Sequence, residues 1–319
     1  MVSDTINKRA MDVTKRLAVI IVYFGRFPKY MPYFLQSASY NPGVDFWIFT
    51  DAFYGDYKQY DNIKFIDMSL LAFNKLASEK TQFTVAVKNS YKLCDFKPMY
   101  GFILADYIRS YSHWAHCDVD MVFGNIDRYL TENSLYNYDV VSSHGRYISG
   151  AFTMYKNVED INKAFMLSKD YKKVLADEKY LSFDEASTVI RKLWDGHDIF
   201  EFESEIESMS HVVKKPGNNI NACFGEFIEE RIKDKIYWRE GRLLDGGKEI
   251  YIFHYLIYKG KISFNIPPFK SYAQYSFNSN GFFTDKLGSY TYIWLNSIYS
   301  NLSDKVKSKV KRKIKILTA

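Results

Sequence analysis

The chain has 319 residues, 47% hydrophobic and 25% charged, with a formal net charge of +6. This excludes a disordered segment and suffices for one large domain, or a domain with a smaller lobe. Seven Lys/Arg against one Asp between residues 304 and 319 account for the whole excess charge, so the rest of the chain lacks the basic footprint of a nucleic-acid binder.

Residues 1–15 are polar and read as a frayed start. Lys15-Arg16 precede Leu17 to Phe24, LAVIIVYF, which imitates a short signal sequence. The run has only eight residues and no small-residue cleavage site, so it reads as a buried parallel strand. A Gly25 turn follows, then a helix over Met31 to Tyr40. Phe46 to Thr50, ending at Asp51, and Ile63 to Ile66 read as further strands. Strands alternating with helices predict a parallel α/β sheet. Lys75 to Val87 reads as a helix. Lys97 to Ser110 reads as another, with Pro98 at its first position.

His113 to Cys117 predicts a short strand, and Asp118 and Asp120 follow it in YSHWAHCDVDMVFGN. Residues i and i+2 of an extended chain project the same way. The two aspartates therefore form an anionic claw just past a strand end, where ligands bind in open α/β sheets. Such a claw suits a hard divalent cation carrying a diphosphate. A solvated loop after a buried strand explains a bare D-x-D equally well, so context has to decide.

Further on, Tyr138 to Ser142 and Ala151 to Tyr155 read as strands around a loop at Gly145 to Gly150. Val158 to Lys173 and Phe183 to Trp194 read as helices, and residues 195–215 have no clear assignment. Glu249 to Tyr258 reads as a strand and residues 263–283 as loop. Residues 290–316 place Ile298, Leu302, Val306, Val310 and Ile314 at helical spacing with Lys on the other faces. That helix either docks on its own domain or lies on an anionic lipid surface. No apolar run is long enough to span a bilayer. Cys94, Cys117 and Cys223 are odd in number and scattered, without C-x-x-C. This argues against a disulfide framework or zinc site and fits a reducing compartment. Aromatics reach 18%; most belong to a Tyr/Phe-rich core, and exposed ones have sugar-binding chemistry.

The run CDFKPMYGFILADYIRSYSHWAHCDVDMVFGNI, Cys94 to Ile126, resembles nucleotide-sugar glycosyltransferases of the GT-A fold. It is closest to a bacterial surface-polysaccharide (capsule/O-antigen) type with K-P followed by D-x-D-x-x-F-G. ADYIRSY with DVD is also similar to families eight and thirty-two. The Gly-Gly that precedes the strand in family thirty-two is replaced here by Ser112-His113-Trp114. Weaker similarity runs from Leu17 to about Gly150.

The resemblance implies a fold and a division of the chain. The fold is α/β: a Rossmann-like mixed, mainly parallel sheet flanked by helices, with a C-terminal amphipathic helical tail. Residues 16–150 would bind the nucleotide sugar, 151–285 would form the acceptor half of the same domain, and 286–319 the basic tail. It implies Mn2+ or Mg2+ with a UDP-sugar donor, UDP-galactose slightly favoured. Asp120 would be the direct metal ligand, with Asp118 at ribose or a metal-bound water.

The resemblance also implies a histidine ligand near the C-terminal end of the catalytic domain, for which His254, in IYIFHYLIYKG, is the candidate, neutral imidazole being a usable donor; a core histidine is the plain alternative. Lys259 and Lys97 are candidates for the phosphates or sugar. Tyr23, Phe24, Gly25 and Asp51 occupy strand ends where this superfamily holds the nucleoside. Asp106 and Arg109 share a helix face and match the A-x-D-x-x-R pattern, with a surface ion pair as the alternative. His113 and His116 read as packing beside the claw, and His144 as facing the acceptor. Asp184 and Glu185 are candidates for the general base of an inverting reaction. Families eight and thirty-two are retaining and need none, so the stereochemistry stays open.

The acceptor would be a glycan, lipid-linked, at the inner face of a membrane. The enzyme would be cytoplasmic and peripheral, its tail on anionic lipid, with no nucleic-acid partner. A non-catalytic carbohydrate- or membrane-surface-binding protein of degenerate GT-A fold is the alternative. A nucleotidyltransferase fits less well, because Gly25-Arg26-Phe27-Pro28 is not a Gly-rich triphosphate loop.

Overall fold

The structure is a computed structural model that describes residues 16–284 except 58, 86, 234, 262 and 263. In chain order its strands begin with β1 (Leu17–Tyr23), β2 (Val44–Thr50), β3 (Ile63–Asp67), β4 (His113–Cys117) and β5 (Met121–Phe123). There follow β6 (Val140–Ser142), β7 (Phe152–Lys156), β8 (Ala222–Phe224), β9 (Ile228–Glu229) and β10 (Ile236–Arg239). The last are β11 (Arg242–Asp245), β12 (Lys248–Ile250), β13 (Ile252–His254), β14 (Gln274–Asn278) and β15 (Gly281–Phe283). The chain divides into two compact units. Among the described residues the first takes 16–27, 38–119 and 126–227, and the second takes 28–37, 120–125 and 228–284.

The first unit holds a seven-stranded sheet in the order β3-β2-β1-β4-β7-β6-β8. β7 runs antiparallel to both its neighbours, and every other adjacent pair is parallel. The expected class, a mixed and mainly parallel sheet flanked by helices, is the one observed. β1 reads LAVIIVY and is buried from Leu17 to Ile21, the continuous apolar run of a strand covered on both faces. The strand order reverses direction at β1, whose partners are β2 on one side and β4 on the other. Such a switch point opens a crevice at the carboxyl ends of the strands.

Trp114 of β4 lies fully buried and stacks on Tyr155 at 4.5 Å, its indole N–H donating to Asn162 Oδ1 at 2.7 Å. Gly101 lets the chain approach that ring, since a Cβ there would lie 2.1 Å from the indole.

Several helices differ from expectation. Leu70–Thr81 starts five residues before Lys75, because the Ser69 side chain accepts from the Ala72 N–H. It stops at Gln82, which is left-handed at φ 54°. In place of one helix over 97–110 there is a 3-10 run, Ser90–Met99, then short helices Tyr100–Ile103 and Ala105–Ile108. Asn89 caps that run by accepting from the Lys92 N–H, so Pro98 falls inside the run. The stretch 158–173 breaks at Ser168, which is extended, giving Glu159–Asn162, Ala164–Leu167 and Tyr171–Ala176. Phe183 opens a turn and not a helix; the helix there is Ile190–Trp194.

The second unit has a five-stranded antiparallel sheet, β12-β11-β10-β14-β15, and a three-stranded sheet, β5-β13-β9. Its core is aromatic: Tyr33, Trp238, Phe253, Tyr255, Tyr275, Phe277 and Phe282. Residues 274–283, expected as loop, form the β14–β15 hairpin. The expected strand 249–258 is β12 and β13 with a break at Tyr251, followed by helix Leu256–Lys259. The helix expected at 290–316 lies outside the described residues. Among the described residues no helix is long and apolar enough to cross a membrane.

Candidate functional site

In the first unit, the end of β4 delivers Asp118 to Lys97. The ammonium of Lys97 donates to Asp118 Oδ1 at 2.6 Å and to the Gly150 carbonyl at 2.8 Å, and Asp184 Oδ2 lies 3.8 Å away. Lys97 and Asp184 are buried, and Asp118 keeps about a third of its side chain exposed. Burial opposes the Lys97 charge, but Asp118, Cys94 and Asp184 more than reverse that and hold its pKa well above the ordinary value. Burial pushes the Asp184 carboxyl well up, Lys97 opposes this, and Glu185 and Asp95 add to the rise. A carboxyl raised in this way is a stronger base than an ordinary aspartate. Gly150 sits directly on the acid pair, since a Cβ there would lie 2.5 Å from Asp184 Oδ2.

The segment bearing Asp184 and Glu185 is pinned from beneath. The buried Asp95 carboxylate accepts from the Leu181 and Phe183 N–H groups, at 2.9 and 2.8 Å. Lys92, also buried, pairs with Asp95 at 2.8 Å and donates to the Lys179 carbonyl. Tyr180 OH donates to Asp184 Oδ1 at 3.0 Å. Ser182 and Ser187 on either side are left-handed, at φ 56° and 52°, a local cost that persists only where the surroundings impose it. Lys92 and Asp95 were not singled out from sequence. Their only signal there is an i, i+3 charge pair in an otherwise buried run.

In the second unit, β5 pairs with β13 in a register that sets Met121 opposite His254. Asp120 is buried, and its backbone carbonyl accepts from the Tyr255 N–H. Its Oδ2 faces His254 Nε2 at 3.3 Å and Lys259 Nζ at 2.7 Å, without the alignment of a hydrogen bond. The other imidazole nitrogen, Nδ1, meets Glu230 Oε1 at 2.9 Å. Burial pushes the Asp120 carboxyl up, and His254 and Lys259 outweigh it, holding the pKa below the usual carboxylate range. Carboxylate, imidazole and second carboxylate in series is how metal-binding histidines are oriented. Glu230 is far from His254 in sequence and carries no motif.

The remaining expected residues sit as follows. Gly25 is left-handed at φ 91°, and its N–H donates to Asp51 Oδ1 at 2.7 Å, tying together the carboxyl ends of β1 and β2. Tyr23 packs on Phe27, with ring centroids 5.2 Å apart, and Phe24 on Phe73. Asp106 and Arg109 pair with each other, and Lys80 joins Asp106 at 2.8 Å. All three are at least partly exposed, the geometry of a surface ion pair. His116 is fully buried, and burial and then Lys97 push its pKa well down. His113 is buried against Tyr136. His144 stacks on Tyr147 at 3.9 Å.

The chain belongs to DUF6625, a family of unknown function, which it matches over residues 19–260. No curated protein matches it. Among solved structures it is similar to the galactosyltransferase LgtC in complex with donor and acceptor sugar analogues. There the identity is 13% and the TM-score 0.30, over 51% of this chain and 66% of that one. It is also similar to the apo form of the glycosyltransferase GlyE of Streptococcus pneumoniae TIGR4, at 13% identity and TM-score 0.30, over 52% and 41%. The chain thus spans less than two thirds of either neighbour.

Proposed function

We propose that this DUF6625 protein is a metal-dependent glycosyltransferase. It would move a hexose from a UDP-sugar, UDP-galactose first, to a hydroxyl of a lipid-linked surface glycan. The observation that carries the reading is the series of buried Asp120, buried His254 and half-exposed Glu230. A carboxylate oxygen and an imidazole nitrogen 3.3 Å apart are two donors converging on one point, donor types that a divalent cation accepts. Mn2+ or Mg2+ bound there would neutralise charge developing on the departing diphosphate.

The chain's own groups have distinct parts in this reading. Asp120 and His254 hold the cation, and Glu230 orients the imidazole. Lys259 meets a phosphate. Asp118, held by the buried Lys97, contacts ribose, phosphate or sugar. Gly25 and Asp51, with Tyr23 and Phe24, shape the nucleoside end. Asp184 and Glu185 serve the acceptor hydroxyl if the reaction inverts. Asp106 and Arg109, committed to each other and to Lys80, are left to the surface. The basic residues beyond 304 would hold the enzyme at an anionic membrane face.

Calorimetric titration of UDP with and without Mn2+ tests the reading. We expect metal-dependent affinity in the wild type and its loss in Asp120→Asn, with the thermal transition of the variant retained. Equal affinity with and without the metal, or turnover of UDP-hexoses by the variant, refutes it.

A further inference from the structure

The hairpin loop between β6 and β7 and the stretch from Asp184 to Gly196 meet at both ends. Gly150 lies against Asp184 and Glu185. Tyr147 packs in one apolar cluster with Ala186, Val189 and Leu193. Along that seam stands Trp194, 58% exposed, in a unit where Trp114 is fully buried and Trp47 half-buried. Its ring is not free to turn, because the indole N–H donates to Tyr147 OH at 3.3 Å. Tyr147 is buried and backed by the imidazole of His144. Arg146 is exposed beside it and is also fixed, donating through Nη1 to the Leu193 carbonyl at 2.8 Å. This makes an exposed aromatic face that is held in one orientation beside an oriented guanidinium.

We propose that Trp194 is the stacking platform for a pyranose ring of the acceptor glycan, with Arg146 hydrogen-bonding its hydroxyls. The C–H face of a hexose is apolar and its rim is polar, which matches a ring plane bordered by N–H donors. An anchored aromatic binds at low entropic cost because its orientation is set beforehand. The word acceptor rests on the transferase reading; the sugar site itself does not.

The full chain is titrated with lactose, maltose and methyl β-galactoside, followed by tryptophan fluorescence and saturation-transfer NMR. UDP affinity is measured in parallel. Trp194→Ala should weaken the best-bound saccharide about tenfold or more. Trp194→Phe, which keeps a ring, should stay within about threefold. UDP affinity should hold in both, because an exposed side chain is being changed. Unchanged saccharide affinity in Trp194→Ala, or no binding of any of the three sugars by the wild type, overturns the proposal. Loss of UDP binding by the wild type itself would overturn the transferase reading and leave a sugar site at Trp194 standing on its own measurement.

Discussion

Each compact unit sets a lysine against a carboxylate, and the two pairs are built differently. Lys97 is sealed beneath the end of β4 with three oxygen partners, of Asp118, Gly150 and Asp184. Lys259 stands on a one-turn helix with about a third of its side chain in solvent, and among the described residues its one salt-bridge partner is Asp120. A buried charge depends on its partners to remain charged, whereas a part-exposed one can trade its partner for water or an anion. The first lysine is therefore framework, and the second is free to be displaced when a ligand arrives.

The sharpest break in that contrast is Lys97→Met. Removing one partner of a buried ionic group leaves the others uncompensated, so we expect a loss of about 3–5 kcal/mol, read as a shift in the urea midpoint. A loss under about 1 kcal/mol would mean that Lys97 is no more structural than Lys259.

Next in size is Glu230→Gln, which keeps the shape and removes the charge behind His254. Partners of this kind contribute about 10–100-fold to metal affinity, so Mn2+-dependent UDP affinity should fall within that range. An unchanged titration would show that Glu230 does not orient the imidazole.

Burial of histidines in the first unit also has a pH signature. Burial pushes His113, His116 and His211 below their ordinary values. The unfolded chain binds protons at these sites as pH falls through about 6.5, and the folded chain does so only at lower pH. Stability is therefore untouched above about pH 6.5 and declines below it, by up to about 1.4 kcal/mol per pH unit for each histidine. Urea midpoints at pH 7.5, 6.5 and 5.5 read the slope. A flat profile would mean that these rings are hydrated.

The smallest effect belongs to Lys259→Met, expected at about 1 kcal/mol or less in stability, with a clear loss of UDP affinity. A stability loss as large as that of Lys97→Met would erase the distinction between the two lysines.

Much of the sheet was legible because buried parallel strands announce themselves as apolar runs. LAVIIVY and HWAHC read as strands with nearly the observed ends. The second unit was harder. β10 reads IYWR with burial alternating residue by residue, and Glu240-Gly241, both left-handed, makes its hairpin turn; this period-two signal was passed over. β14 and β15 lie among Asn, Pro and Ser that suggest loop, and only pairing with β10 makes strands of them. Asp118 and Asp120 stood out by residue type and spacing, and His254 through the family resemblance. Their supports did not, because Asp95 acts on the backbone of residues 181 and 183, a contact that side-chain chemistry does not encode. Asp184 was expected at a helix start and lies in a turn instead, held there by that same carboxylate.

The reversal of β7 has a consequence for how such a protein can diversify. Because β6 and β7 form a hairpin, their connecting loop emerges beside Asp118, whose N–H donates to the Ala151 carbonyl. Residues 144–146, between the buried Ser143 and Tyr147, can thus be lengthened, shortened or exchanged while the strand carrying the aspartate keeps its register. Grafting that segment from one homologue to another is a route to new recognition at the rim with the reactive interior left alone.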